Sequence, residues 1–127
     1  LFPMVNRAQR LCITLNCMFH CALCNGMFFR RLFGSNNSIT APKAKELLRN
    51  GAVLVDVRTP GEYASGHARQ SRNIPLDQLP QQLDSLKRIG KPIVFVCASG
   101  ARSQHATDLA RQAGIEAYNA GSWSSLR

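Results

Sequence analysis

The chain has 127 residues, 45% of them hydrophobic, with 16 Lys and Arg against seven Asp and Glu, and five cysteines. That length suits one domain with its own core and excludes two full domains. The net charge of +9 favours small anions, but specific nucleic-acid binding is not expected. Arg7, Arg10, Arg30 and Arg31 lie in an acid-free leader, and the other basic residues are interleaved with all the acidic ones.

Residues 1–37 read as an apolar, basic extension ahead of a domain over 38–127. The stretch "LCITLNCMFHCALCNGMFFRRLF" is broken by Asn16, His20, Asn25 and Gly26. Its longest apolar core, Leu11 to Cys24, falls short of the roughly 18 to 20 residues of a spanning helix, so stable membrane insertion is not expected. Three readings stay open. An export signal fits the positive lead, and would make the protein exported or membrane-anchored, but no small-x-small cleavage site follows Cys24. Cys17, Cys21 and Cys24, with His20 beside them, share a helical face that can gather zinc, although paired C-x-x-C knuckles are missing. Alternatively, translation starts at Met27 and the residues before it are an upstream extension. Four cysteines in one apolar stretch do not make a disulfide framework. Cys97, alone in the body of the chain, fits a reduced thiol in a cytoplasmic protein.

In the body, Thr40 is placed to cap a helix through "APKAKELLRN", with Pro42 in its first turn and Asn50-Gly51 at its end. "AVLVDV", residues 52–57, is a β-branched run followed by the turn-rich "RTPGE", and predicts a buried strand. "GEYASG" suits one or two helical turns, and "RNIPL" a short extended piece set by Pro75. Leu79, Leu83 and Leu86 mark an amphipathic helix that stops at Gly90. "PIVFVC", residues 92–97, predicts a second buried strand. "SQHATDLARQAG" predicts a helix with Ala106, Leu109, Ala110 and Ala113 inward and Gly114 as its stop, and "IEAY" a last strand before "NAGSW". Strands alternating with helices predict an α/β fold, a mostly parallel central sheet with helices on both faces.

Ligands of such sheets sit beyond the carboxyl ends of strands, where a loop feeds a helix. Cys97 has that position. Ala98, Ser99, Gly100 and Ala101 are small enough for their backbone N–H groups to turn around a sulfur, and Gly100 allows the unusual backbone angle this requires. Those amides, with the positive end of the following helix, favour thiolate and attract an anion. A cation at Arg102, in the first turn, opposes the helix dipole and makes sense beside an anion.

"CASGARS" resembles the active-site loop C-x-x-G-x-R-S of the rhodanese (sulfurtransferase) family, through Cys97, Gly100, Arg102 and Ser103. "LVDVRTPGEYASGHARQSRNIPL" resembles that family's upstream signature, through Asp56, Val57, Arg58, Glu62, Tyr63, Gly66, His67, Asn73, Ile74 and Pro75. "NAGSW" is a weaker echo of its C-terminal segment, and Ala68, Gln70 and Ser71 depart from the pattern. The resemblance spans about residues 38–125 and implies a single rhodanese-like domain. It implies that Cys97 takes a sulfane sulfur from a small anionic donor such as thiosulfate, or mercaptopyruvate, and passes the persulfide sulfur to a thiol or protein acceptor, or to cyanide in vitro. Residues 98–102 would cradle the anion, with Ser103 closing the motif and Arg102 orienting the donor. Asp56 and Arg58 would be supporting residues, Asp56 accepting hydrogen bonds from the site region and Arg58 pairing with Glu62. His67 is expected to be structural and His105 a surface residue near the site. No metal or organic cofactor is needed for this chemistry.

Two rivals remain. Cysteine phosphatases use a similar cradle but place five residues between Cys and Arg, where this loop has four. A non-catalytic rhodanese-like binding module is the other, although such modules often lack the cysteine that is present here. A disulfide-based redox role lacks a second cysteine near Cys97.

Overall fold

The computed structural model describes residues 37–127. The export, zinc and start-site readings of the extension lie outside them. The unit Asn37–Arg127 is compact, and its chain order is α1 (Ala41–Arg49), β1 (Val53–Asp56), α2 (Pro60–Ala64), β2 (Arg72–Asn73), α3 (Leu79–Ile89), β3 (Ile93–Cys97), α4 (Ala101–Gln112), β4 (Ala117–Ser122) and a 3-10 turn (Trp123–Leu126). The strands form one sheet in the order β2-β1-β3-β4, and every pairing is parallel.

Alternation along the central strands builds two cores. Val55, Ile93, Phe95 and Cys97 face one side, where Leu79 and Leu86 of α3 and Ala106 and Ala110 of α4 cover them. Leu54, Val94 and Val96 face the other, under Ala44 of α1 and Leu126 of the 3-10 turn. A strand buried on both faces carries no polar alternation, which is why β1 and β3 read as unbroken apolar runs. Full burial of Phe95, Ile93 or Val55 stabilises the fold by about 1.5 to 3 kcal/mol each. The α/β architecture with helices on both faces is therefore as expected.

Two local expectations are corrected. Thr40 occupies the position before α1, but its side chain makes no capping hydrogen bond. A capping box forms instead at α2, where the Thr59 hydroxyl accepts from the Glu62 N–H and the Glu62 carboxylate accepts from the Thr59 N–H. The last strand is Ala117–Ser122 rather than residues 115–118. Gly114, at φ +85°, turns the chain out of α4, and the ladder on β3 begins only at Ala117 opposite Ile93. It then carries "NAGS" into the sheet despite its weak strand propensity, because β3 offers an open row of backbone partners. On the outer side of β4, the Ile39 N–H donates to Asn119 O at 2.8 Å and the Asn119 N–H to Asn37 O at 2.8 Å.

Candidate functional site

β3 ends at Cys97, whose register partner on β4 is Ser122, and the pairing slips between Phe95 and Cys97. The slip frees the chain to leave the sheet at once. Gly100, at φ +103°, is the residue before α4, and its N–H donates to Cys97 Sγ at 2.9 Å. A methyl group at Gly100 would sit 3.3 Å from the Gly121 Cα, so the two backbones approach too closely for a side chain. The helix begins at Ala101, two residues earlier than its apolar pattern predicts.

Ala98 and Ser99 of the loop and Ala101 at the start of α4 are exposed, Arg102 is half-buried, and Cys97 and Ser103 are buried. Burial pushes the Cys97 thiol up. Hydrogen bonds from the Ser103 hydroxyl and from the backbone N–H groups of Ser103, Gly100 and Ser99 outweigh it, and hold the thiol below its ordinary value. Cys97 thus sits on a loop whose amides at Ser99, Gly100 and Ser103 reach its sulfur.

Arg102 is not an unoccupied cation. Its Nη1 and Nη2 donate to Glu62 Oε2 at 2.8 Å and Oε1 at 2.9 Å. Arg58, expected to pair with Glu62, reaches only the Glu62 carbonyl at 3.2 Å. Its fork belongs to Asp56: Nε donates to Oδ1 at 2.9 Å and Nη2 to Oδ2 at 2.7 Å. The Arg58 N–H also donates to Asp56 Oδ1, at 3.0 Å. The hydrogen bonds expected at Asp56 from the site region therefore come from Arg58 itself. Nη2 also reaches Gly66 O at 2.7 Å, and the guanidinium lies 4.5 Å over the Trp123 ring. The pair thereby ties the end of β1 to the α2 loop and the C-terminal turn.

His67 stacks on Tyr63 with ring centroids 3.9 Å apart, its Nδ1 2.9 Å from Tyr63 O. His105 is exposed and, with Arg102, Asp77, Thr59 and Leu76, lines a cavity of about 430 Å³ beside the loop. Among the described residues, no three His, Cys, Asp or Glu side chains gather as a metal site, and no helix is long and apolar enough to cross a membrane.

Asn119 is a site residue that the sequence pattern does not single out. It is 7% exposed; its Oδ1 accepts from the Ser103 hydroxyl at 2.7 Å and from the Gly121 N–H at 2.9 Å. Its Nδ2 donates to Gly100 O at 3.2 Å and to Gln104 Oε1 at 3.1 Å. Its signal in the sequence is weak: it opens "NAGSW", the echo of the family's C-terminal segment, in a composition that suits a loop.

The rhodanese-like domain model matches residues 40–126. A thiosulfate sulfurtransferase of Ectopseudomonas mendocina is 35% identical over 82 residues, covering 64% of this chain and 74% of that protein. An uncharacterized protein of Bacillus subtilis is 42% identical over 69 residues, 54% of each chain, and one of Synechocystis is 39% identical over 83 residues, covering 63% of this chain and 45% of that one. The chain thus spans about half the length of these last two relatives. Among solved structures, the human single-domain sulfurtransferase superposes with a TM-score of 0.60 at 30% identity, covering 70% of this chain and 93% of that one. A rhodanese-like domain protein of Staphylococcus aureus gives 0.61 at 32%, covering 70% and 88%. With the matched model running from just before α1 to the 3-10 turn, the chain belongs to the rhodanese-like domain family.

Proposed function

We propose that the chain is a sulfurtransferase in which Cys97 carries the sulfur, and that thiosulfate is its donor. The observation that carries this reading is the Gly100 N–H on Cys97 Sγ at 2.9 Å, in a loop whose hydrogen bonds lower the thiol. The Cys97 thiolate attacks the outer sulfur of thiosulfate; a new S–S bond forms as the bond to the sulfonyl sulfur breaks, and sulfite leaves with the electron pair. An acceptor nucleophile, a thiol or protein in the cell or cyanide in vitro, then attacks the outer persulfide sulfur, and Cys97 departs as thiolate. Atoms and charge balance without an oxidant or a metal.

The N–H groups of the 98–102 loop hold the anion of either state. Arg102, shared with Glu62, raises the local positive potential without being spent on one ligand. Asp56 and Arg58 brace the β1 end behind the loop. The unit carrying this chemistry is residues 38–127, and a thiol used in this way suits the reducing cytoplasm.

The test is thiosulfate-dependent thiocyanate formation from cyanide by the full chain, with mass analysis of the Cys97 peptide after thiosulfate alone. Gain of one sulfur on that peptide, with turnover, and loss of both in Cys97→Ser is the expected result. A folded protein silent with both thiosulfate and mercaptopyruvate would instead be a rhodanese-like binding module.

A further inference from the structure

Ser103 has one hydroxyl hydrogen and three acceptors around it: Asn119 Oδ1 at 2.7 Å, Gly100 O at 3.0 Å and Cys97 Sγ at 3.4 Å. The orientation of the Asn119 amide is fixed by its neighbours. The Gly121 N–H can only donate and so faces Oδ1, while Gly100 O can only accept and so faces Nδ2. Two oxygens 2.7 Å apart need a hydrogen between them, so in this arrangement the Ser103 hydrogen lies on Asn119. The Ser103 lone pairs then face the sulfur, which suits a thiol S–H and not a thiolate.

When the sulfur is an anion, the hydroxyl can turn to it as the Ser103 and Asn119 oxygens move apart. Asn119 Oδ1 keeps the Gly121 N–H, and Gly100 O keeps the Gln104 N–H at 2.9 Å, so neither buried acceptor is orphaned. We infer that Asn119 is a positioning residue for Cys97, acting through Ser103: it competes with the sulfur for one hydrogen and sets how much of that hydrogen bond the sulfur receives. Its own place is firm, because its backbone N–H and C=O are both paired, with Asn37 O and the Ile39 N–H. Of the other charged groups, Arg102 of α4 lies within electrostatic reach of Cys97, as it does of Glu62 and Asp56, and Asp56 is held by Arg58. β4 brings no carboxylate or ammonium group to the sulfur; its one titratable side chain, Tyr118, donates its hydroxyl to Glu116.

The inference rests on Cys97 as the nucleophile of the proposed function, but its test needs no sulfur donor. In the full chain, the rate of Cys97 alkylation by iodoacetamide is followed against pH on the Cys97 peptide by mass spectrometry. Ser103→Ala removes the hydrogen bond and moves the midpoint up by about one pH unit. Asn119→Ala releases the hydroxyl to the sulfur and moves it down by about half a unit to one unit. In a Ser103→Ala background Asn119→Ala changes nothing, an outcome that a merely structural role for Asn119 does not produce. An equal shift in both backgrounds, or no shift in a folded Asn119→Ala, overturns the inference. Should Asn119→Ala not fold, Asn119→Asp serves: it keeps the acceptor and tightens the hold on the hydroxyl, so its upward shift must be larger with Ser103 present than without it. Equal rises overturn the inference. Absence of sulfur transfer alongside an intact cycle would count against the donor and acceptor chemistry, leaving the Asn119 relationship standing.

Discussion

Arg102 and Glu62, forty residues apart, meet in a two-pronged ion pair at 2.8 and 2.9 Å on the rim of the Cys97 loop. Their side chains are 36% and 39% exposed, so water screens the pair and its contribution to stability is small. Its consequence concerns the electrostatics of the site. On the proposed function, an incoming thiosulfate dianion would meet a guanidinium that is already paired, and must share it with a carboxylate or displace that carboxylate. Glu62→Gln keeps an oxygen for the Thr59 cap and removes the competing charge. The expected outcome is a fall of about two- to fivefold in KM for thiosulfate with little change in kcat, fading at high salt. Steady-state kinetics at low and high ionic strength check it; an unchanged KM would place the donor's path away from Arg102.

The same carboxylate carries a pH signature. The side-chain hydrogen bond from Arg102, followed by those from the Thr59 N–H and hydroxyl, lowers the Glu62 carboxyl from 4.5 to about 2. A depressed acid stabilises the fold wherever the unfolded chain binds more protons. That contribution is fully present above about pH 4.5 and is lost as pH falls toward 2. Chemical denaturation from pH 6 down to about pH 2.5 should therefore show a shallower decline for Glu62→Gln than for the parent chain, with the two curves parallel above pH 5.

Arg58 presents the buried counterpart. It is 4% exposed and Asp56 is fully buried, so removing the guanidinium leaves a carboxylate in the core without its partner. Arg58→Met is expected to cost about 3 to 5 kcal/mol. Arg58→Lys is expected to recover only part of that, because an ammonium cannot supply the parallel N–H pair. Trp123, the one tryptophan of the chain, lies between Arg58 and Arg127, whose guanidinium is 4.4 Å from the ring. Its fluorescence therefore follows both unfolding and any local loss of the stack. Denaturant titration of the two variants by tryptophan emission measures the difference.

These pairings also mark where sequence reasoning stops. β1 and β3 are legible because each is a short β-branched run bounded by turn residues, and the Cys97 loop because small residues and a glycine follow a strand directly. Gly90 and Gly114 are legible as stops because both sit in the left-handed region, where a side chain is costly. The partner of Arg58 is not. Four-residue spacing favours Glu62, but the chain is not helical between them until Pro60, and the end of β1 folds Arg58 back on Asp56. The Arg102–Glu62 pair and the four hydrogen bonds of Asn119 join distant segments, and no local periodicity records such contacts. The extent of β4 is hidden for a similar reason: "NAGS" becomes strand only because β3 lies beside it.

Gly100 offers the sharpest separation of backbone shape from side-chain chemistry. Its φ is +103°, and an added Cβ would stand 3.3 Å from the Gly121 Cα, so alanine meets both a conformational penalty and rigid backbone. The expected loss of stability is at least about 1 kcal/mol. The substitution removes no hydrogen-bonding group, yet it must move the N–H that lies 2.9 Å from the Cys97 sulfur. Because that N–H favours thiolate, the alkylation midpoint of Cys97 in Gly100→Ala should rise, and the rate at neutral pH should fall by about tenfold for each unit of rise. Gly90→Ala is the control. Its φ is +68°, nothing lies within 4 Å of the added methyl, and it stands at the far end of α3. It should lose comparable stability to strain while leaving the Cys97 midpoint where it was. Equal midpoints for Gly100→Ala and the parent chain would show that the Gly100 amide does not govern the thiol.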